Sequence, residues 1–152
     1  MSKEMMSLLE PPVEKSHKSQ VLALTIGGLV LALIVVTYFT FRYYPEKKAA
    51  SHFFDALVVG NTDQAYELWK ATPSYKKTDF LADWGPSGYY GPVKSYKIMR
   101  AKAPDKSDSI AVDIALSPYS PLPSASDAEK SAKTKTVTLW VSPADKSLSF
   151  PP

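Results

Sequence analysis

Between Lys18 and Arg42 the chain carries no charged side chain, and residues 20–41, QVLALTIGGLVLALIVVTYFTF, are apolar with no polar stripe. About 23 uncharged residues at the helical rise reach about 34 Å, enough to cross a hydrocarbon core of about 30 Å with some tilt. A buried helix of a water-soluble domain is normally shorter, with polar residues recurring along one side. The stretch therefore predicts a transmembrane helix at residues 20–44, with a tail before it and a domain after it. A cleaved signal peptide would need a shorter apolar core followed at once by small residues. Here the core gives way to Arg42-Tyr43-Tyr44-Pro45-Glu46-Lys47-Lys48, and the small cluster Ala49-Ala50-Ser51 comes only after those charges. The anchor is expected to stay attached.

Residues 1–19 mix Lys3, Lys15 and Lys18 with Glu4, Glu10 and Glu14 and contain Pro11-Pro12, which blocks a long helix. This composition reads as a disordered polar tail. At the other end Tyr38, Phe39, Phe41, Tyr43 and Tyr44 form an aromatic collar at headgroup level, and Pro45 is expected to stop the helix. Basic residues balance across the span, Lys3, Lys15 and Lys18 before it and Arg42, Lys47 and Lys48 after it, so the charge rule gives no orientation. A short tail before one apolar segment acts as an uncleaved signal anchor. The topology expected is therefore amino end inside and carboxyl domain outside a bacterial cytoplasmic membrane, crossed once. Ala23 with Gly27, and Gly28 with Ala32, are small pairs spaced by four that let a second helix approach closely. With no ionisable group in the span, an ion or proton path is not expected.

The chain beyond the anchor, residues 46–152, suffices for one domain with a single core. The absence of cysteine excludes disulfides, thiolate nucleophiles and cysteine metal sites. The two histidines, His17 and His52, have no metal-ligand spacing, and no metal or cofactor is expected. A net charge of +3 with no basic run or recognition motif leaves no nucleic-acid footprint. Thirteen prolines and nine tyrosines point instead to a loop-rich, aromatic-packed domain.

From Lys47 the apolar period is helical, with Ala50, Phe53, Phe54, Leu57 and Val58 on one face. Gly60 supplies a stop, and Asn61 with Gln64 has capping-box spacing for a second helix carrying Ala65, Leu68 and Trp69 inward. Thr72-Pro73 predicts the start of a third helix with Phe80, Leu81 and Trp84 at core spacing. The stretch Trp84-Gly85-Pro86-Ser87-Gly88-Tyr89-Tyr90-Gly91-Pro92 reads as a shaped aromatic turn, and Trp84, Tyr89 and Tyr90 are the candidate ligand- or partner-binding residues. The alternative is that the loop simply covers the open end of the core. After Pro92 the period falls to two, predicting antiparallel strands at 93–102, 110–116 and 136–141 and a short one at 147–150. A long proline- and serine-rich loop spans 117–135. Helices followed by strands make an α+β domain, two to three helices packed on a curved antiparallel sheet of about four strands.

This order of elements, the pair Phe53-Phe54 in the first domain helix and the break Gly60-Asn61-Thr62-Asp63-Gln64-Ala65-Tyr66 resemble the nuclear transport factor two-like, cystatin-like superfamily over residues 46–150. The segment from Tyr75 to Pro92 is similar to that of membrane-anchored bacterial proteins of this type. The resemblance implies a cone between helices and sheet, which in ketosteroid isomerase-like and cyclase-like members holds a substrate and an acid–base residue. The titratable candidates for such a role are His52, Asp55, Asp79, Asp83, Asp113, Tyr89 and Tyr90, but residue spacing places the first five on solvated or outward faces. With no nucleophile–base pair, phosphate loop or metal spacing, catalysis is not expected. A non-catalytic interaction module fits better: an accessory or assembly subunit of a respiratory or envelope membrane complex, with the bilayer and an integral membrane protein as partners. A sensor or carrier of a small apolar ligand is the alternative. With only about five residues expected between Arg42 and the first domain helix, the domain is expected close to the membrane surface.

Overall fold

A computed structural model describes residues 17–121, 129 and 132–152. The chain divides into two units, the first ending at Phe41 and the second running Arg42–Pro152. Of the tail, residues 1–16 lie outside the described residues, as does the centre of the proline- and serine-rich loop; residues 17–19 form the first turn of a helix.

That helix, α1 (His17–Phe41), buries none of its residues. It is long and apolar enough to cross a membrane by length and composition. The hydroxyls of Thr25 and Thr40 donate to the carbonyls of Val21 and Val36 at 2.9 and 2.8 Å. These polar groups are thus satisfied within the helix, as an apolar solvent requires.

The second helix, α2 (Tyr44–Val58), begins at Tyr44 rather than Lys47 and carries Pro45 in its first turn. Pro45 therefore opens a helix instead of ending one, because a first-turn residue has no intrahelical N–H bond to lose. The break between α1 and α2 falls at Arg42 and Tyr43. Ala50, Phe53, Phe54, Ala56 and Leu57 form the buried stripe of α2. Gly60, at φ 79°, lets its own N–H reach the Leu57 carbonyl at 3.0 Å and that of Asn61 reach Ala56 at 2.8 Å, a left-handed helix stop.

At the start of α3 (Thr62–Trp69) the Asn61 side-chain Oδ1 accepts the Gln64 N–H at 3.1 Å, and the Asn61 Nδ2 donates to Gln64 Oε1 at 3.2 Å. The pairing is the one the spacing predicts. Asn61→Ala is expected to cost about 1 kcal/mol, read as a lower midpoint in thermal unfolding of the full chain.

The next helix, α4 (Lys77–Trp84), starts later than Thr72-Pro73 implies. Those residues instead form a turn in which the Tyr75 N–H donates to the Thr72 carbonyl at 3.0 Å, while the Thr72 and Ser74 hydroxyls lie 3.0 Å apart. Local hydroxyl bonds of this kind compete with helix formation. The Asp79 carboxylate then accepts the Lys76 N–H at 3.2 Å and caps α4. Phe80 and Trp84 reach the core, whereas Leu81 is 37 % exposed and does not join it.

Strands β1 (Ser95–Lys102), β2 (Ile110–Ser117), β3 (Lys135–Val141) and β4 (Leu148–Ser149) form one antiparallel sheet in the order β1-β2-β3-β4. Ile98, Ile114 and Val137 lie in register, as do Val112 with Leu139 and Ile110 with Val141. These residues face the helices. Lys97, Arg100, Asp113, Ala115, Thr138 and Trp140 occupy the opposite face, as the pleat requires. A register shift between Ile98 and Arg100 leaves Met99 as the extra residue, 59 % exposed.

The interior between the helices and the sheet is packed with rings. Phe53 has four aromatic neighbours, Phe54 at 5.0 Å, Trp69 at 5.2 Å, Phe80 at 6.1 Å and Trp84 at 5.2 Å between centroids. Phe54 continues the cluster to Tyr96 at 5.2 Å, and Trp69 continues it to Phe150 at 5.2 Å. Beside Leu57, Trp84 and Val93 a crevice of about 70 Å³ remains. Trp69 and Trp84 thus fill the core, and Tyr43, Tyr66, Tyr75, Tyr90 and Tyr96 pack partly buried against it, whereas Tyr38, Tyr44 and Tyr89 are exposed.

Candidate functional site

The loop after α4 is folded back on that helix by its own backbone. The N–H groups of Tyr89 and Tyr90 donate to the carbonyls of Ala82 and Asp83 at 2.9 and 2.8 Å, supplying partners to the end of α4. Gly91 makes this possible: a Cβ there would lie 1.9 Å from the Gly85 carbonyl oxygen, and one at Gly88 would lie 2.8 Å from that of Asp83.

Within this frame the three candidate aromatics take different positions. Trp84 is 2 % exposed and stacks on Tyr90 at 4.7 Å and on Phe150 at 5.9 Å. Its indole N–H has no hydrogen-bond partner among the described residues. Tyr90 is half-buried behind the loop, and burial pushes its hydroxyl above the ordinary tyrosine range. Tyr89 alone of the three points outward, 67 % exposed, set edge-on to Tyr90 at 4.8 Å. The Lys135 ammonium lies 4.7 Å from the Tyr89 ring centre and donates to the Tyr89 carbonyl. The loop thus exposes a tyrosine with a cation on its face.

Apart from His52 and Asp55, the acid–base candidates are dispersed. His52 and Asp55 are exposed on α2, and Asp55 accepts the Tyr96 hydroxyl at 2.7 Å. Burial, then that carboxylate, raises the Tyr96 hydroxyl above its usual range. Asp79 caps α4. Asp83, expected in solvent, instead accepts the Tyr75 hydroxyl at 2.6 Å, because Tyr75 folds back over α4. Burial first, and Asp83 second, push the Tyr75 hydroxyl far up, so it is a hydrogen-bond donor at any physiological pH. His52 and Asp55 both line an open surface depression of about 410 Å³ with Val59, Gln64 and Leu68, and none of the other candidates joins them there.

Asp113 lies on the open face of the sheet, where Thr138 donates to it at 2.7 Å and Arg100 at 2.9 Å through Nε and 2.8 Å through Nη2. The Thr138 hydrogen bond is the main reason its carboxyl titrates below the ordinary range, with Arg100 adding to it against the opposing effect of burial. A carboxyl lowered in the native state adds stability above its unfolded pKa of about 4 and loses it as pH falls through the native value. Asp113→Asn is expected to flatten the decline of unfolding free energy below about pH 4, measured by denaturant titrations at successive pH values.

A feature that the sequence does not announce joins the start of α2 to the β3–β4 turn. Glu46 is only 6 % exposed and accepts from Lys146 Nζ at 2.8 Å. Lys146 has a left-handed backbone, φ 59°, and donates also to the Pro143 carbonyl at 2.7 Å. A separation of a hundred residues gave no local signal for this pair. Next to it a depression of about 280 Å³ is lined by Lys48, His52, Lys70 and Lys146 around Ala49 and Leu68. Asp145, at the same turn, is pulled down to about 2, chiefly by the Ser147 N–H and hydroxyl.

Among the described residues no group of three or more histidine, aspartate or glutamate side chains is placed to hold a metal ion. On α1, Ala23, Gly27, Gly28 and Ala32 are all exposed, and a Cβ added at either glycine meets nothing within 4 Å. No family model, curated protein or solved structure matches the chain.

Proposed function

We propose that the chain is a membrane-anchored, non-catalytic interaction module, an accessory or assembly subunit of a larger membrane complex, respiratory or envelope in kind. The observation that carries this reading is a contrast. The space between helices and sheet is filled by Phe53, Phe54, Trp69, Phe80 and Trp84, while α1 leaves its apolar side chains uncovered. Burying those side chains removes about 25 cal/mol per Å² of apolar surface from water, which a bilayer and a neighbouring helix together accomplish. The exposed small residues Gly27 and Gly28 give that neighbour a place of close approach. Tyr89, outward and backed by Lys135, offers the domain's contact. The rival reading, a carrier of a small apolar ligand, needs a pocket where the ring cluster sits. An enzyme of the ketosteroid isomerase-like kind needs an acid or base aimed at that same space, and the carboxylates are engaged elsewhere.

Anchor and domain are expected in the bacterial cytoplasmic membrane, with the domain on the outer side. Protease added to spheroplasts is expected to digest the domain, and protection would reverse the topology. Purification of the full chain in mild detergent, followed by mass spectrometry of the proteins that travel with it, tests the function. A reproducible integral membrane partner is expected, lost or weakened on Tyr89→Ala or Gly27→Leu. A lone monomer contradicts the proposal.

A further inference from the structure

We propose that the depression bounded by Lys48, His52, Lys70 and Lys146 binds the phosphate headgroup of an anionic phospholipid of the membrane that holds α1. The inference rests on the membrane-anchor reading and adds a ligand to it.

Three observations carry it. The first is charge. Three lysines and a histidine border the depression and no carboxylate lines it. Of the nearby acids, Glu46 is paired with Lys146 at 2.8 Å, which leaves Lys48 and Lys70 as the cations a ligand can meet, while the Asp145 carboxylate is turned to the Ser147 N–H and hydroxyl at 3.0 and 2.8 Å. The side chains of Lys48 and His52 have no hydrogen bond or ion pair among the described residues. Lys70 donates to the Asp145 carbonyl, which leaves two of its three ammonium protons for a ligand.

The second is the floor, made by Pro45, Ala49 and Leu68. A simple anion has no use for an apolar floor, whereas the glycerol and first methylenes of a lipid do. A volume of about 280 Å³ admits a headgroup and not a whole lipid.

The third is position in the chain. Pro45 is separated from Phe41, the last residue of α1, by Arg42, Tyr43 and Tyr44. Covalent reach alone keeps it within about 14 Å of the helix end, whatever the orientation of the domain. Pro45 is thereby kept near the membrane surface, where a lysine close to anionic headgroups contributes about a fivefold gain for anionic lipid.

The test is native mass spectrometry of the full chain in detergent with palmitoyl-oleoyl phosphatidylglycerol, the neutral-headgroup phosphatidylcholine of the same acyl chains, or soluble glycerol phosphate added. The wild type is expected to retain phosphatidylglycerol in preference to phosphatidylcholine, and Lys48→Gln/Lys70→Gln to weaken that retention about tenfold or more. Lys97→Gln/Lys102→Gln, on β1, removes the same charge elsewhere and is expected to leave it unchanged. Both double variants alter exposed side chains, and tryptophan fluorescence confirms that they fold. Equal retention of the two lipids, equal loss in the two double variants, or capture of glycerol phosphate as readily as lipid each overturns the proposal. Alkaline extraction of the same membranes separates the two readings: a chain that stays in the bilayer yet shows no lipid preference loses only the headgroup site, whereas a chain that is washed off loses the anchor.

Discussion

Phe53→Ala is expected to lower the unfolding free energy of the domain by about 3 to 5 kcal/mol. Phe53 is fully buried and is the ring on which α2, α3 and α4 meet, touching Trp69 of α3 and Phe80 and Trp84 of α4. Its removal forfeits the transfer free energy of the ring and the edge-to-face contacts with Phe54, Phe80 and Trp84. The cavity left cannot collapse readily, because four large rigid rings, Phe54, Trp69, Phe80 and Trp84, wall it. Urea titration followed by tryptophan fluorescence reads the change directly, since Trp69, Trp84 and Trp140 all belong to the unit Arg42–Pro152. A loss below about 1 kcal/mol would mean that the ring cluster is loose, and the argument from a filled interior would fail with it.

Lys146→Met is expected to cost about 3 kcal/mol, near the lower end for breaking a buried ion pair. The Glu46 side chain is 8 % exposed and that of Lys146 35 %. Removing the more exposed partner leaves the buried carboxylate without its ion pair, which costs free energy. Glu46→Gln is expected to cost less, because its amide is neutral and the freed ammonium can turn to water. The double variant, Glu46→Gln with Lys146→Met, is expected to recover part of the single Lys146 loss. Denaturant titration of the four proteins as a double-mutant cycle checks this. An additive cycle would show that the pair, close as it is, does not couple α2 to the β3–β4 turn.

Much of the fold was legible because its determinants are local. The alternation of Ile110, Val112, Ile114 and Leu116 places β2, and Asn61 with Gln64 marks α3, each within a few residues of sequence. Gly60 signals the end of α2 for the same reason. Boundaries went astray where one residue serves two opposite purposes. Pro45 is as good at opening a helix as at closing one, and Thr72-Pro73-Ser74 prefers its hydroxyl-bonded turn to a helical first turn.

The candidate site was harder to read, for a physical reason. Trp84, Tyr89 and Tyr90 are alike in sequence, and only the fold-back of their loop sends Trp84 inward and Tyr89 outward. Pairs such as Glu46 with Lys146, Asp55 with Tyr96, or Lys48 beside Lys70 are assembled by tertiary packing and leave no local pattern. The α1 residues 20–41 are the opposite case, since an absence of charge over that length is itself the signal.

Membrane anchoring, on which the proposed function rests, is tested by alkaline carbonate extraction of membranes from cells expressing the full chain, with recovery in pellet and supernatant quantified. A helix with no charge between Lys18 and Arg42 and no buried face is expected to remain wholly in the pellet, and to enter the supernatant only when detergent dissolves the bilayer. Release of the intact chain by carbonate alone would contradict the anchor, and with it the proposed partner in the membrane.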